Sequence, residues 1–210
     1  DRDLAERQTD LELTTMAATR PLYAVVGADR FLRGSLLAEI LKSLESETDA
    51  LGPVRVDSDR DLADVLDEVR TPSLLGGRRV VIVDDADDFI TANRKALERY
   101  AGDPSPDGCL ILLCDSLPKN TNLHKIIAEH GEIRVCEALK GMAMTTWMVR
   151  RAKEAHGKRL AEPAARRLRD LIGNEPGWID TELGKLAAYV GARNDITVAD
   201  VESATGESRE

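Results

Sequence analysis

Aromatic residues are scarce: two Trp, three Tyr and two Phe make up 3% of the 210 residues. A protein that stacks single-stranded nucleic acid on ring platforms needs more than this. Cysteine is rarer still. Cys109, Cys114 and Cys136 are odd in number, form no C-x-x-C spacing and each lie in or beside an apolar run. They read as core thiols of a reducing compartment, not as a redox pair or a metal site. The three histidines, His124, His130 and His156, share no ligand-like spacing with them, so no metal centre is expected. No apolar run reaches membrane length, and the N-terminus lacks the apolar stretch of a signal peptide. A cytoplasmic protein without membrane association is therefore expected. Positive charge is also short, and the net charge of -9 does not draw nucleic acid to the surface as a whole.

One segment departs from that acidity. Residues 149 to 170, "VRRAKEAHGKRLAEPAARRLRD", hold eight Lys or Arg against three Asp or Glu, a local +5 that leaves -14 for the remainder. The overall balance, 42% hydrophobic and 32% charged, suits one large or two modest globular domains.

Residues 1 to 20 are polar and weakly patterned and read as an arm or frayed helix, with Met16 a possible start of the domain. Beyond them short apolar runs alternate with helical periodicity. "PLYAVVG", "PVRVD", "RRVVIVDD", "CLILLCD" and "IRVCEAL" read as five strands. Between them lie helices over 29 to 45, 59 to 69, 91 to 100 and 121 to 130. Strands apolar on both faces and separated by helices predict a parallel α/β sheet with right-handed crossovers. After Gly141 the strands stop, and helices are expected over 142 to 156, 162 to 172, 177 to 190 and 197 to 204. The domain plan is an arm over 1–20, an α/β domain over 21–140 and a small helical lid over 141–210.

That layout is the layout of an AAA+ module, and a working one needs G-x-x-x-x-G-K-[ST] after its first strand. Backbone amides of that loop wrap the phosphates, the Lys meets the terminal ones and the hydroxyl binds magnesium. Counted from Gly27, the frame demands Gly, Lys and Ser or Thr where the chain has Leu32, Arg33 and Gly34. Shifting the frame to use Gly34 requires a glycine at position 29, which is Asp29, a carboxylate that repels phosphate. Asp84 and Asp85 stand where a magnesium-binding and a water-activating acid would follow the third strand. Without the cradle they read as a solvated strand end. No nucleotide cofactor and no intrinsic catalysis are expected.

Four stretches carry a resemblance to a known family: "LYAVVGADRFL", "TPSLLGGRRVVIVDDAD", "LPKNTNLHKII", and "WIDTELGKLAAYVG" with "ITVADVE". In this order and spacing they resemble the delta subunit of the bacterial DNA polymerase III clamp loader, over residues 21 to 210. The resemblance implies an AAA+ fold that has lost nucleotide binding. It implies a subunit that binds the beta sliding clamp and springs one interface open during DNA replication. Gamma or tau motor subunits and delta-prime are the implied loader partners, and primed DNA is met through the assembled loader. Polymerase (nucleotidyltransferase) activity belongs to the holoenzyme. The family's clamp contact is a Ser-Leu-Phe stretch, matched here by Ser73, Leu74 and Leu75, with Leu in place of the aromatic. The family also continues into a helical collar domain that assembles the loader. The chain ends at Ser208-Arg209-Glu210, about where the collar is expected to begin, so a fragment or truncated product is expected.

The residues permit the same reading of that stretch. Thr71 can cap, Pro72 suits a first helical position and Gly76-Gly77 can stop a one-turn helix. Two adjacent helical leucines point about 100° apart and cannot both face one flat core. Either both fill a loop against the core, or one is offered to a partner. The basic segment is two-sided as well. Ala164, Leu168, Leu171 and Ile172 form an inward stripe that leaves Arg166, Arg167 and Arg169 outward, either as a solvated face or as a contact for DNA phosphates or a neighbouring subunit. Two other functions remain open on the sequence: an active P-loop ATPase, and an inert AAA+ interaction protein outside replication.

Overall fold

The structure, a computed structural model, describes residues 19–73 and 76–206. The arm read over residues 1–20 lies outside these except for Thr19 and Arg20. Contacts divide the chain into two compact units, one of Arg33–Cys136 with the described residues up to Ala28, the other of Asp29–Leu32 with those from Glu137 onward.

The first unit is a parallel five-stranded sheet in the order β2-β3-β4-β1-β5, with β1 Leu22–Val26, β2 Val54–Val56, β3 Arg79–Val83, β4 Gly108–Cys114 and β5 Glu132–Val135. All of its pairings are parallel, with β1 between β4 and β5. Its helices are α1 Arg30–Leu44, α2 Leu62–Arg70, α3 Asp87–Gly102 and α4 Asn122–His130.

Because side chains alternate along a strand, each central strand feeds two cores. Leu22, Ala24 and Val26 meet Val65, Val69, Phe89, Leu123 and Ile127 from α2, α3 and α4. Tyr23, Val25, Val80, Ile82 and Ile111 meet Leu37, Ile40 and Leu44 of α1. Burial on both faces is why β1, β3 and β4 read as continuous apolar runs. The thiols of Cys109 and Cys114 belong to these cores, and burial pushes both up to about 12. Cys136 is only half-buried, and its thiol donates to the Val26 carbonyl at 3.2 Å.

Helix α3 begins four residues before the periodicity suggests, at Asp87. Its acids Asp87 and Asp88 occupy the first turn, where the exposed amides favour negative charge, so they belong to the helix and not to a polar linker.

The second unit holds α5 Gly141–His156, α6 Glu162–Ile172, α7 Pro176–Val190 and α8 Val198–Gly206. It is not purely helical. Arg159–Leu160 (β6) and Asp195–Ile196 (β7) pair in parallel, closed by an Arg159–Asp195 ion pair at 2.6 Å. Two-residue strands carry no period and leave no signal in the sequence. Met148, Leu168, Ile179, Leu183, Leu186 and Ile196 fill the core of this unit. Arg151 and His156 of α5 both bind Asp180 of α7, at 2.6 and 2.8 Å. The Phe31 ring meets Trp147 edge-on at 6.1 Å and lies under the Arg151 guanidinium at 5.3 Å.

Candidate functional site

The carboxyl edge of the sheet is where open α/β folds bind nucleotides. β1 is followed by Gly27, which turns at φ +151°; a Cβ there would lie 2.6 Å from the Cys136 carbonyl oxygen. Close packing therefore accounts for this glycine without any phosphate. Asp29 precedes α1, and its carboxylate accepts the Leu32 amide at 2.9 Å. An N-terminal amide that would face phosphate in a working cradle is thus satisfied by the chain's own acid.

Arg33 stands at the frame position of the missing Lys and is 3% exposed. Its guanidinium donates to the Gly27 carbonyl at 2.9 Å, to Asp85 Oδ1 at 3.1 Å, and to Asp115 just beyond β4. Gly34 has open space around it. Asp84 turns to the neighbouring strand, where Arg55 Nη1 meets both of its oxygens at 3.0 and 2.9 Å. Asp85 adopts a left-handed φ of 46°. The two acids after β3 therefore split, one pairing along the surface and one holding Arg33. Asp115 completes the cluster. The sequence shows it only as the polar end of "CLILLCD".

The opposite, amino edge carries the segment leading into β3. Thr71 is the C-cap of α2; the one-turn helix read beyond it runs through Leu74 and Leu75, outside the described residues. The Thr71 amide and hydroxyl both donate to the Asp67 carbonyl, at 2.9 and 2.7 Å, closing the end of α2. A threonine hydroxyl reaches the helical carbonyl four residues before it, sharing that acceptor with its own amide. Ser73 is half-buried, and its carbonyl accepts the Gly76 amide at 3.3 Å. Leu74 and Leu75 lie outside the described residues.

The base of this loop is tied down. The Arg78 amide donates to the Glu47 carbonyl at 2.5 Å, and the Asp49 amide to the Arg78 carbonyl at 3.0 Å. The Arg78 guanidinium reaches the Gly108 carbonyl at 2.9 Å and Glu47 at 3.3 Å. Arg79 meets Glu68 and, at 3.0 Å, Asp49. Hydrogen bonds donated to Glu68 raise the Arg79 guanidinium above its ordinary value against the opposing effect of burial, with the bond to Asp49 adding to the rise.

In the second unit, Arg166 and Arg167 are exposed and pair with Glu162 at 2.9 Å and Glu202 at 3.0 Å. Arg169 is turned inward instead. It is half-buried and donates to the Gly141 carbonyl at 2.9 Å and the Thr145 hydroxyl at 3.2 Å. Its length lets it reach the first turn of α5, so the outward face expected of all three arginines is reduced to two.

Residues 23–137 match the family described as DNA polymerase III, delta subunit, which is more than half of the chain. The chain belongs to that family. A Bacillus subtilis relative, DNA polymerase III subunit delta, is 27% identical over 203 residues, covering 90% of this chain and 58% of its own length. The solved Bacillus subtilis DNA clamp loader delta protein (YqeN) superposes with a TM-score of 0.70 at 26% identity, over 88% of this chain and 58% of that one. The chain thus spans somewhat over half the length of these relatives. The Thermotoga maritima RuvB Holliday junction branch migration motor aligns over 99% of this chain and 69% of its own, with a TM-score of 0.54 at 13% identity. That likeness speaks for the fold alone, and with the sheet order it makes the first unit AAA+-like.

The family match spans both edges of the sheet, the Arg33 cluster and the Ser73–Gly77 segment alike. The basic face of α6 lies beyond it. No helix among the described residues is long and apolar enough to cross a membrane.

Proposed function

We propose that this chain acts as the clamp-engaging subunit of a bacterial clamp loader. In this reading Ser73, Leu74 and Leu75 enter an apolar pocket of the beta sliding clamp and help open one of its interfaces, so that the ring can be placed on primed DNA in the cytoplasm. The observation that carries the reading is the family match across residues 23–137, which includes this segment. The anchored base of the segment adds physical support. A binding loop gains affinity when its flanks are ordered before the partner arrives.

The chain itself performs no catalysis in this reading. Arg33, Asp85 and Asp115 satisfy one another at the carboxyl edge, so the module completes that edge from its own residues. ATP hydrolysis then falls to gamma or tau subunits, with delta-prime the further partner. Nucleotidyl transfer is the work of the DNA polymerase III holoenzyme that the loaded clamp serves.

The direct test is titration of this chain against a purified bacterial beta clamp, with MgATP present and absent. Saturable binding that ignores nucleotide supports the proposal. Absence of binding at tens of micromolar, or micromolar ATP affinity of the chain alone, overturns it.

A further inference from the structure

The stretch "LPKNTNLHKII" has no task in the clamp-engaging reading, yet it lines a cavity of about 240 Å³ in the first unit. One wall is α3 and the other is the connection from β4 into α4. Ile90, Leu117 and Leu123 line it and are buried, so they make its floor.

The walls are held by their own hydrogen bonds. Asp87 accepts the Asp115 and Ser116 amides at 2.8 and 3.2 Å, tying α3 to the connection. The Thr91 hydroxyl donates to the Asp87 carbonyl at 2.9 Å, and the Thr121 hydroxyl to the Pro118 carbonyl at 2.7 Å. Two charges at the mouth are not spent in this way. Asp88 and Arg94 line the cavity, are exposed, and make no side-chain hydrogen bond or ion pair among the described residues.

The volume lies below the roughly 300–1,000 Å³ of sites for free small molecules. It suits one apolar side chain offered by another protein, the usual anchor of an interface. The two charges select what carries that side chain. Asp88 and Arg94 are six residues apart on α3, about 9 Å along the helix axis. Their complement is a cation and an anion with an apolar residue between them, all on one face. An extended strand places three such residues at i, i+2 and i+4, its outer pair about 13–14 Å apart. A helix places them at i, i+3 and i+7, about 10–11 Å apart, which is the closer match. A helix is also more stable with its acid towards the N-terminus and its base towards the C-terminus. That polarity sets it antiparallel to α3, with glutamate at Arg94 and lysine at Asp88.

We infer that this cavity docks a helix of a partner protein carrying Glu, Leu and Lys at i, i+3 and i+7, the leucine entering the floor of Ile90, Leu117 and Leu123. The site shares no residue with the clamp-engaging segment and stands apart from that reading.

The probes are fluorescein-labelled, alanine-rich peptides of about 18 residues, long enough to be helical in water. One carries Glu–Leu–Lys at the three positions; its twins carry Glu–Ala–Lys, Glu–Leu–Glu or Lys–Leu–Lys. Anisotropy measures their affinity for the chain, and amide NMR shifts locate them. Glu–Leu–Lys should bind best, with shifts at residues 88–94 and 116–123. Glu–Ala–Lys should bind about tenfold or more weakly, the loss expected for one buried leucine. Asp88→Lys makes both ends of the mouth positive and should turn the preference to Glu–Leu–Glu. Thr91→Trp fills the mouth and should abolish binding. Both substituted positions are exposed, and melts matching the parent confirm that the variants fold. No binding of Glu–Leu–Lys at millimolar concentration, equal binding of all four peptides, or an unmoved preference in folded Asp88→Lys overturns the inference. Shifts at the same residues from duplex DNA, with none from the peptides, assign the mouth to phosphates and overturn it too.

Discussion

Arg33 Nη2 lies 3.1 Å from Asp85 Oδ1, joining the first helix to the end of the third strand across 52 residues of sequence. The same guanidinium holds Asp115, 82 residues away. In an active module this neighbourhood brings together a lysine, a magnesium ion and phosphates. Here a planar cation with five donors is met by two carboxylates and the Gly27 carbonyl. Arginine suits the position because its fork can serve several acceptors at once, which a lysine ammonium does less well.

Replacing Arg33 by Ala should therefore destabilise the chain without creating nucleotide binding. The guanidinium is buried, but the side chains of Asp85 and Asp115 are 48% and 61% exposed and can regain water. That places the loss at roughly 1–3 kcal/mol, below the full cost of orphaning a buried charge. For a chain of this size it corresponds to a fall in Tm of roughly 2–12 °C. Urea and thermal melts measure the loss, and calorimetry with MgATP should stay silent. An unchanged melt would mean that the cluster contributes no stability.

Acid should weaken the second unit through Asp200. Hydrogen bonds from Arg193 and then from the Thr197 amide hold its carboxyl well below the usual range. Thr197 and Asp200 also form a reciprocal cap at the start of α8, the Asp200 amide donating to the Thr197 hydroxyl at 3.4 Å and Thr197 returning two bonds at 2.8 Å. A depressed carboxylate stabilises above its unfolded value near 3.9, and that contribution fades as pH falls towards the folded value. Asp180 behaves in the same sense. Burial alone would raise it, but hydrogen bonds from Arg151 and His156 outweigh burial and lower it. Asp200→Asn should cost about 1 kcal/mol at pH 7, and the gap from the parent should narrow steadily below about pH 4. A gap that is constant from pH 7 to acid would show that the charge is not its source.

What the sequence reveals, and what it hides, follows from how far apart the interacting residues lie. The five strands and most helices of the two units are legible because periodicity is local: Leu62, Val65, Leu66 and Val69 announce one face of α2 within eight residues. The order of the strands is not local, and neither is the Arg33 cluster, which joins the first turn of α1 to residues just beyond β1, β3 and β4. Thr71 shows a subtler limit. A threonine before proline reads equally well as the start of one helix or the end of another, and its role in closing α2 shows only once its amide and hydroxyl are seen on the Asp67 carbonyl. Asp49 had no signal at all, since an acid in a polar loop looks solvated until its buried partner Arg79 is seen.

The basic face of α6 should divide into two classes under mutation. Arg166 and Arg167 make exposed ion pairs of a kind worth about 0–1 kcal/mol, so Arg166→Ala/Arg167→Ala should move the melt by only a few degrees. Arg169→Ala removes two bonds to the first turn of α5 and should cost roughly 1–3 kcal/mol. If Arg166 and Arg167 meet DNA phosphates in an assembled loader, the double variant should also flatten the salt dependence of clamp loading, the slope falling by about one for each arginine–phosphate pair removed. An unchanged slope assigns the pair to solvent.

Leu74 and Leu75 should carry the clamp affinity. They lie outside the described residues, so the expectation rests on their sequence, on the family match around them and on the anchored flanks. Fully burying one leucine contributes about 1.5–3 kcal/mol, so two supply roughly 3–6 kcal/mol if both enter the clamp. Truncating both to Ala should weaken binding about a hundredfold or more, at roughly tenfold per 1.4 kcal/mol. Leu75→Phe, which restores the aromatic of the family motif, should hold or strengthen binding, since a larger apolar side chain removes more surface from water in the same pocket. The melt of the double variant should fall only modestly, because a side chain offered to a partner is not part of the core. The opposite pattern, normal clamp binding with a melt many degrees lower, would place the leucines inside the fold and remove them from the interface.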